Sequence, residues 1–382
     1  MLNHVVATPA DLALEPRAEN CHYRRFVGKA TPTSRFHFLQ TMKKLKAIDL
    51  FSGCGGLTLG LKMAGFRVLA AIEIDSLAVD TYKANHRGVR VIQDDIRRVK
   101  AKSLRESLKL EPGELDLLAG CPPCQGFSTL RTRNGAAQKR DDRNGLIRDM
   151  MRFTRTFLPK AIMMENVPGL AEHWSFGKFC RDLRALGYQV EWDVKDAKHY
   201  GVPQRRKRLI LVAGRGVHIS LAKESQTLRT VRSAFANLRR PGQSRDALQN
   251  LPENRSAKVL KLIKSIPKNG GSRTDLPRSK QLECHKRIDG FRDIYGRIAW
   301  DLPGPTITGG CFNPSKGRFL HPVENRAITL REAAILQSFP RRYRFPVHAS
   351  KEAVALMIGN ALPPNFIHRH ANQIASSLRA LE

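Results

Sequence analysis

The sequence predicts an α/β fold: a doubly wound, mostly parallel sheet flanked by helices, joined to a smaller irregular domain. Two observations carry this. Short apolar runs at residues 47–50, 68–72, 115–118, 161–164 and 209–212 alternate with segments of helical period. Such alternation places parallel strands between covering helices. From about 216 to 325 the period fades while Gly, Pro and basic residues accumulate, among them Arg239, Arg240, Lys258, Lys261, Lys264, Arg273, Arg278, Lys280 and Arg287. A chain of 382 residues has room for one large domain and a smaller one.

The elements follow in order. Residues 1–41 mix Pro, Arg and His without a period and read as an extension of uncertain order. Residues 42–215 hold the alternating pattern, 216–325 the irregular domain, and 326–382 resume helical period. Thr329 followed by Glu332 makes a capping box that opens a helix through Gln337. Two more helices are predicted over 351–357 and 365–380, the first ending near Gly359 and Asn360, with Pro363 and Pro364 at the entry to the second.

Charge narrows the partner. Lys and Arg number 66 against 34 Asp and Glu, a formal net charge of +32. Many dispersed cations favour a phosphate backbone over a membrane surface, and no strongly basic amphipathic helix is evident. No apolar stretch approaches a membrane span and the N-terminus has no apolar signal core, so a cytoplasmic protein is expected. Seven cysteines at irregular spacing suggest no disulfide framework and leave thiols available for chemistry.

Two loops stand where an open α/β sheet binds ligands. The first, Asp49-Leu50-Phe51-Ser52-Gly53-Cys54-Gly55-Gly56, leaves an apolar strand and enters a helix near Leu57. Glu73 closes the next strand at the offset of an acidic residue that takes two ribose hydroxyls, and Asp95-Ile96 follows a third candidate strand. The loop lacks Gly-x-Gly-x-x-Gly, so a nucleoside without a pyrophosphate fits it better than a dinucleotide. Its plainer reading is a tight strand-to-helix turn.

The second loop, Gly120-Cys121-Pro122-Pro123-Cys124-Gln125-Gly126-Phe127-Ser128, carries a thiol past the strand at 115–118. Cys124 is a candidate nucleophile; a redox pair, half a metal site and a buried structural thiol are its rivals. No second Cys-x-x-Cys exists, and Cys284-His285 is an unconvincing partner for a metal, so no metal is expected.

This ordered set resembles the DNA (cytosine-5)-methyltransferase family of bacterial type, whose nucleophile sits in a Pro-Cys-Gln loop like Pro123-Cys124-Gln125. Residues 51–56 resemble its cofactor motif, Glu73 its ribose ligand, and Asp95 with Ile96 its adenine contacts. Glu165-Asn166-Val167 resembles the motif supplying a base-binding carboxyl, Gln204-Arg205-Arg206-Lys207-Arg208 its Gln-x-Arg-x-Arg motif, and Gly359-Asn360-Ala361-Leu362-Pro363 its C-terminal return to the cofactor. The resemblance covers about 46–215 and 326–365. It implies a class I, Rossmann-like S-adenosylmethionine-dependent methyltransferase that releases S-adenosylhomocysteine. Phe51, Ser52, Gly53, Gly55, Gly56, Glu73, Ile74, Asp95, Ile96, Pro122, Asn360 and Ala361 would hold the cofactor; Cys124, Glu165, Arg206 and Arg208 would act on the base. Residues 216–325 become a target-recognition domain, with the glycine-rich basic stretch 306–319 close to DNA.

The chemistry suits these residue types. Carbon 5 of cytosine is a weak nucleophile until a thiolate adds at carbon 6, the part assigned to Cys124. A carboxylic acid donating to ring nitrogen 3 relieves the charge pushed into the ring, which suits Glu165 if its site raises the pKa. Arg206 and Arg208 offer planar donors for ordering the catalytic loop and bonding the base carbonyl oxygen. Plainer readings are a salt-bridged Glu165, a phosphate-binding run over Arg205 to Arg208, and a helix C-cap at Asn360; Cys54 and Cys121 read as structural.

The expected partner is double-stranded DNA, with the cytosine flipped out for reaction by a monomeric enzyme, whose mark either protects DNA from a companion restriction endonuclease linked by function rather than contact or serves alone in epigenetic marking. One rival is an RNA methyltransferase of the same fold: Cys311-Phe312 resembles that branch, but Asn313 stands where its Thr is expected. Another is a silent DNA-binding regulator, against which Cys124, Glu165 and Arg208 speak. A nicotinamide-dependent dehydrogenase would need the missing glycine fingerprint.

Overall fold

A computed structural model describes residues 44–123, 145–281 and 293–381. Cys124, Cys284, His285, Arg287 and the extension 1–41 lie outside the described residues. Seven strands form one sheet: β1 (Lys46–Leu50), β2 (Arg67–Glu73), β3 (Arg90–Gln93), β4 (Leu117–Gly120), β5 (Ala161–Asn166), β6 (Tyr188–Asp196) and β7 (Lys207–Arg215). Their spatial order is β3-β2-β1-β4-β5-β7-β6. The pairs β1–β2, β2–β3, β1–β4 and β4–β5 are parallel, and β7 runs antiparallel to both neighbours. The doubly wound, mostly parallel sheet is therefore present.

Central strands read as apolar because both faces are covered: every residue of β4 and β5 is buried. Edge strand β6 is buried fully only at Tyr188, so it offers no apolar run, and the sequence pattern missed it. Helices α1 (Gly56–Met63), α2 (Ser76–Asn85), α3 (Ala101–Ser107), α4 (Leu146–Phe157) and α5 (Trp174–Ala185) follow successive strands. Against one face Met150, Phe153 and Phe157 of α4 join Phe176, Phe179 and Leu183 of α5. Against the other, Leu57 and Leu61 of α1 meet Phe366, Ile367 and Ile374 from a later helix.

That partner belongs to the C-terminal part, where α8 (Leu330–Leu336), α9 (Lys351–Asn360) and α10 (Pro364–Arg379) occupy the predicted spans. The predicted capping box is formed: Thr329 accepts from the Glu332 amide, and Glu332 accepts from the Thr329 amide. Helices α1 and α10 touch so closely that a Cβ on Gly56 would lie 2.3 Å from the Leu362 carbonyl oxygen, and one on Gly60 2.6 Å from Ile367.

Between 216 and 325 the described residues hold α6 (Val231–Phe235), α7 (Ala257–Ser265), short 3₁₀ turns and isolated bridges. With few ladders to satisfy the backbone, a buried arginine does so. The Arg297 guanidinium donates to the carbonyls of Ile263, Ile266, His321 and Glu324 and to Asn325 Oδ1. Arg273, counted among the basic residues of this segment, is only 4% exposed, and so cannot meet a phosphate without unpacking. Within 306–319, Ile307, Cys311 and Phe319 are core residues shared with α8 and α9. Among the described residues no helix is long and apolar enough to cross a membrane.

Candidate active site

Parallel strands β1, β2, β4 and β5 deliver their C-terminal ends to one edge of the sheet, and Phe51, Glu73, Pro122 and Glu165 stand at or just past those ends. At β1 the chain turns through Phe51 and Gly53, both with positive φ, and Gly55 at φ 94°. Gly55 is required by space as well as conformation, since a Cβ there would fall 2.3 Å from His86 Nε2. His86 Nε2 lies 3.0 Å from the Gly55 carbonyl and 2.9 Å from the Tyr343 hydroxyl, and Tyr343 donates to the Cys54 carbonyl. Burial holds the His86 imidazole down at about 4, so it braces the loop as a neutral ring.

Glu73 fixes the loop from the next strand. Its Oε2 accepts the Gly53 amide at 2.7 Å, and its Oε1 accepts the amides of Ile74 and Asp75, both at 2.9 Å. A carboxylate oxygen takes two donors, so Oε1 is filled while Oε2 keeps one place for a hydroxyl. Beside it Ile74 is 63% exposed, an apolar platform at the strand end. Below the loop Asp49 is fully buried and accepts from Thr58 Oγ1 at 2.6 Å, yet its Oδ1 has no hydrogen-bond partner among the described residues, and neither has the buried Ser52 hydroxyl. Burial, with the Glu73 charge nearby, pushes the Asp49 carboxyl up to about 7.

The remaining residues predicted to hold the cofactor are placed less directly. Asp95 is buried, but Arg97 Nε lies 3.0 and 2.9 Å from its two oxygens, and this pairing lowers the Asp95 carboxyl to about 2. A ligand reaching Asp95 must displace the half-exposed Arg97. Ile96 is core. Asn360 is exposed at the end of α9, and Ala361 caps that helix.

Among the residues predicted to act on the base, Glu165 near the end of β5 is 2% exposed. Arg208 Nε of β7 stands 3.0 Å from Glu165 Oε1 as an ion pair, without the alignment of a hydrogen bond. Neighbouring Asn166 donates to the Pro122 carbonyl at 2.8 Å, which ties β5 to the loop that runs on to Cys124. The antiparallel register of β5 and β7 sets Glu165 opposite Ile210, and this brings Arg208 alongside.

Arg206 is placed differently from Arg208. Its guanidinium is buried and donates to the carbonyls of Ile307 and Gly359, both at 3.0 Å, and burial lowers it to about 9. Gln204 accepts the Ile307 amide at 2.6 Å and donates to Gln337, whose amide donates to the Ile358 carbonyl. The Gln-x-Arg-x-Arg segment thus fastens β7 to residues 307 and 358–361, while only its last arginine reaches the carboxylate.

Sequence reasoning passed over two features. Cys121, read as structural, donates its thiol to Glu165 Oε2 at 2.9 Å. The His86–Tyr343 brace joins residues too distant in sequence for any local pattern to show. No group of three or more His, Cys, Asp or Glu suited to a metal occurs among the described residues.

The model of the C-5 cytosine-specific DNA methylase family matches residues 45–376. A type II methylase, M.HgiDII of Herpetosiphon aurantiacus, is 37% identical over 336 residues, 83% of this chain and 91% of the relative. A type II methyltransferase, M1.HphI of Haemophilus parahaemolyticus, is 35% identical over 84% of each chain. Among solved structures, a putative DNA modification methyltransferase encoded within an E. coli prophage superposes with a TM-score of 0.64 at 25% identity, over 88% of this chain and 100% of that one.

Proposed function

The chain belongs to the C-5 cytosine-specific DNA methylase family, and on that premise we propose that it transfers a methyl group from S-adenosylmethionine to carbon 5 of a cytosine flipped out of a specific duplex sequence. The observation that carries the reading is the buried Glu165 carboxylate, paired with Arg208 and joined through Asn166 to the loop that leads to Cys124.

The cofactor side fits a nucleoside. Glu73 keeps one acceptor place for a ribose hydroxyl, exposed Ile74 offers a face to a purine, and residues 51–56 include no cation that would hold a pyrophosphate. S-adenosylmethionine, held by residues such as Glu73 and Ile74, would supply an electrophilic methyl group and would be released as S-adenosylhomocysteine.

The protein's own residues prepare the base. The Cys124 thiolate adds to carbon 6, and the electron pair of the 5,6 double bond moves toward carbon 5. Glu165, taking up a proton from solvent as the base binds, donates a hydrogen bond at ring nitrogen 3, and Arg208 bonds the carbonyl oxygen where charge gathers. After transfer a base, water among the candidates, takes the carbon 5 proton, and Cys124 leaves by elimination. Arg206 serves as a positioning residue. Residues 216–325 act as the target-recognition domain, and residues 326–382 return to complete the catalytic one. The enzyme works as a cytoplasmic monomer, and its mark protects host DNA from a companion restriction endonuclease, in keeping with relatives named type II methyltransferases.

Bisulfite sequencing of host DNA tests this. Cells expressing the chain should show protected cytosines at one recurrent sequence, and cells expressing Cys124→Ser should show none. Methylation that persists in the variant removes the covalent step. Purified enzyme that labels RNA and leaves DNA unlabelled removes the substrate.

A further inference from the structure

Glu165 is held at both oxygens by unlike groups. Arg208 meets Oε1 as an unaligned ion pair, whereas the Cys121 thiol donates to Oε2 at 2.9 Å. Among the described residues this thiol makes the only hydrogen bond to the carboxylate. We propose that Cys121 is a positioning residue of the reaction, its S–H group fixing the rotation of the Glu165 carboxyl so that the carboxyl meets the ring edge of an incoming base.

The geometry supports a donor. Cys121 follows β4 and Glu165 lies on the adjacent strand β5, whose register pairs Gly120 with Met164. Rigid sheet backbone therefore fixes the sulfur and the carboxylate relative to each other. The Cys121 amide donates to the Leu50 carbonyl at 3.3 Å, and its side chain packs against the core beneath α1 and α10. Burial and the adjoining Glu165 charge push the thiol well above its usual range, so it stays protonated and donates at every working pH. It is thereby unsuited to the nucleophilic part that a thiolate plays. A carboxyl group is free to turn about its last bond, and Arg208 without hydrogen-bond alignment does not stop that turn. An S–H donor on the second oxygen does.

This inference rests on the proposed role of Glu165 toward the base, and three variants separate the two. Wild-type enzyme that methylates DNA, with Glu165→Gln inactive, establishes that role first. Cys121→Ala should then lower kcat about tenfold, the effect of one lost hydrogen bond to a charged group, with the KM values for DNA and cofactor unchanged. Cys121→Ser, which keeps a donor at nearly the same place, should recover most of the loss. Thermal melting of both variants identifies damage to the fold, and an infrared measurement independent of turnover covers that case. The S–H stretching band that disappears in Cys121→Ala should lie at the low frequency of a strongly bonded thiol, and should move up in Glu165→Gln, where the acceptor is neutral. A kcat in Cys121→Ala equal to wild type, or a Cys121 band that ignores Glu165→Gln, overturns the proposal.

Discussion

The two ends of the site are built by different means. On the cofactor side, one carboxylate gathers backbone amides from its own strand end and from a loop 20 residues earlier. On the proposed base side, the carboxylate is held by side chains far along the chain, Cys121 just past β4 and Arg208 of β7. The first is a local device that survives small shifts of the sheet. The second exists only once β4, β5 and β7 are aligned. Cofactor binding should therefore tolerate changes that abolish chemistry, and the converse should not hold.

Glu165→Gln gives the sharpest separation. It keeps shape and burial but cannot offer an acidic proton, so kcat should fall by roughly a hundredfold to ten-thousandfold. Calorimetry should find cofactor affinity unchanged. A parallel loss of affinity would mean that the two ends are one unit and would break the comparison.

Glu73→Gln should show the reverse at smaller scale. Charge-assisted contacts to three amides weaken, and with them the shape of the loop. Cofactor affinity should drop about tenfold while kcat at saturation is retained. A kcat loss as large as that of Glu165→Gln sinks the distinction.

The smallest effect concerns Asp49. Its carboxyl stands at about 7 in the folded protein and near 4 in an unfolded chain. Between those values the native state holds a proton that the unfolded state has released. Stability therefore falls as pH rises through that window and levels off above it. Asp49→Asn still accepts from Thr58 and removes the ionisation, so it should gain on the order of 1–2 kcal/mol at pH 8 and nothing comparable at pH 4. Melting curves at the two pH values check this, and an equal gain at both would assign it to packing instead.

The same contrast explains what the sequence disclosed. Strands β1, β2, β5 and β7 announced themselves because burial on both faces demands apolar runs, and the cap of α8 because Thr329 and Glu332 are three residues apart. Glu73 was legible for a similar reason: a strand-turn-helix unit fixes its offset from the glycine loop. Strand β6 was not, because an edge strand needs no apolar run. The partition of labour between Arg206 and Arg208 was equally hidden. Arg206 precedes β7 and Arg208 lies within it, and which of them faces a carboxylate and which faces carbonyls depends on the antiparallel pairing with β5 and on residues near 307 and 360. Arg297, surrounded by five acceptors, lies in the basic segment with nothing in its sequence neighbourhood to set it apart from the exposed cations. Counting charge cannot show which arginine is interior.

The missing side chains of Gly56 and Gly60, which let α10 lie directly on α1, also order events in time. The helix under the cofactor loop is among the first elements to leave the ribosome, and the helix that covers it is among the last. A polypeptide stopped before Leu362 lacks Phe366, Ile367 and Ile374, which share the cluster of Leu57 and Leu61, and lacks the Leu362 carbonyl against which Gly56 rests. Chains that end there, though they already carry every residue assigned to the base, should leave the cofactor loop unsupported, and a truncation assayed for methyl transfer checks this.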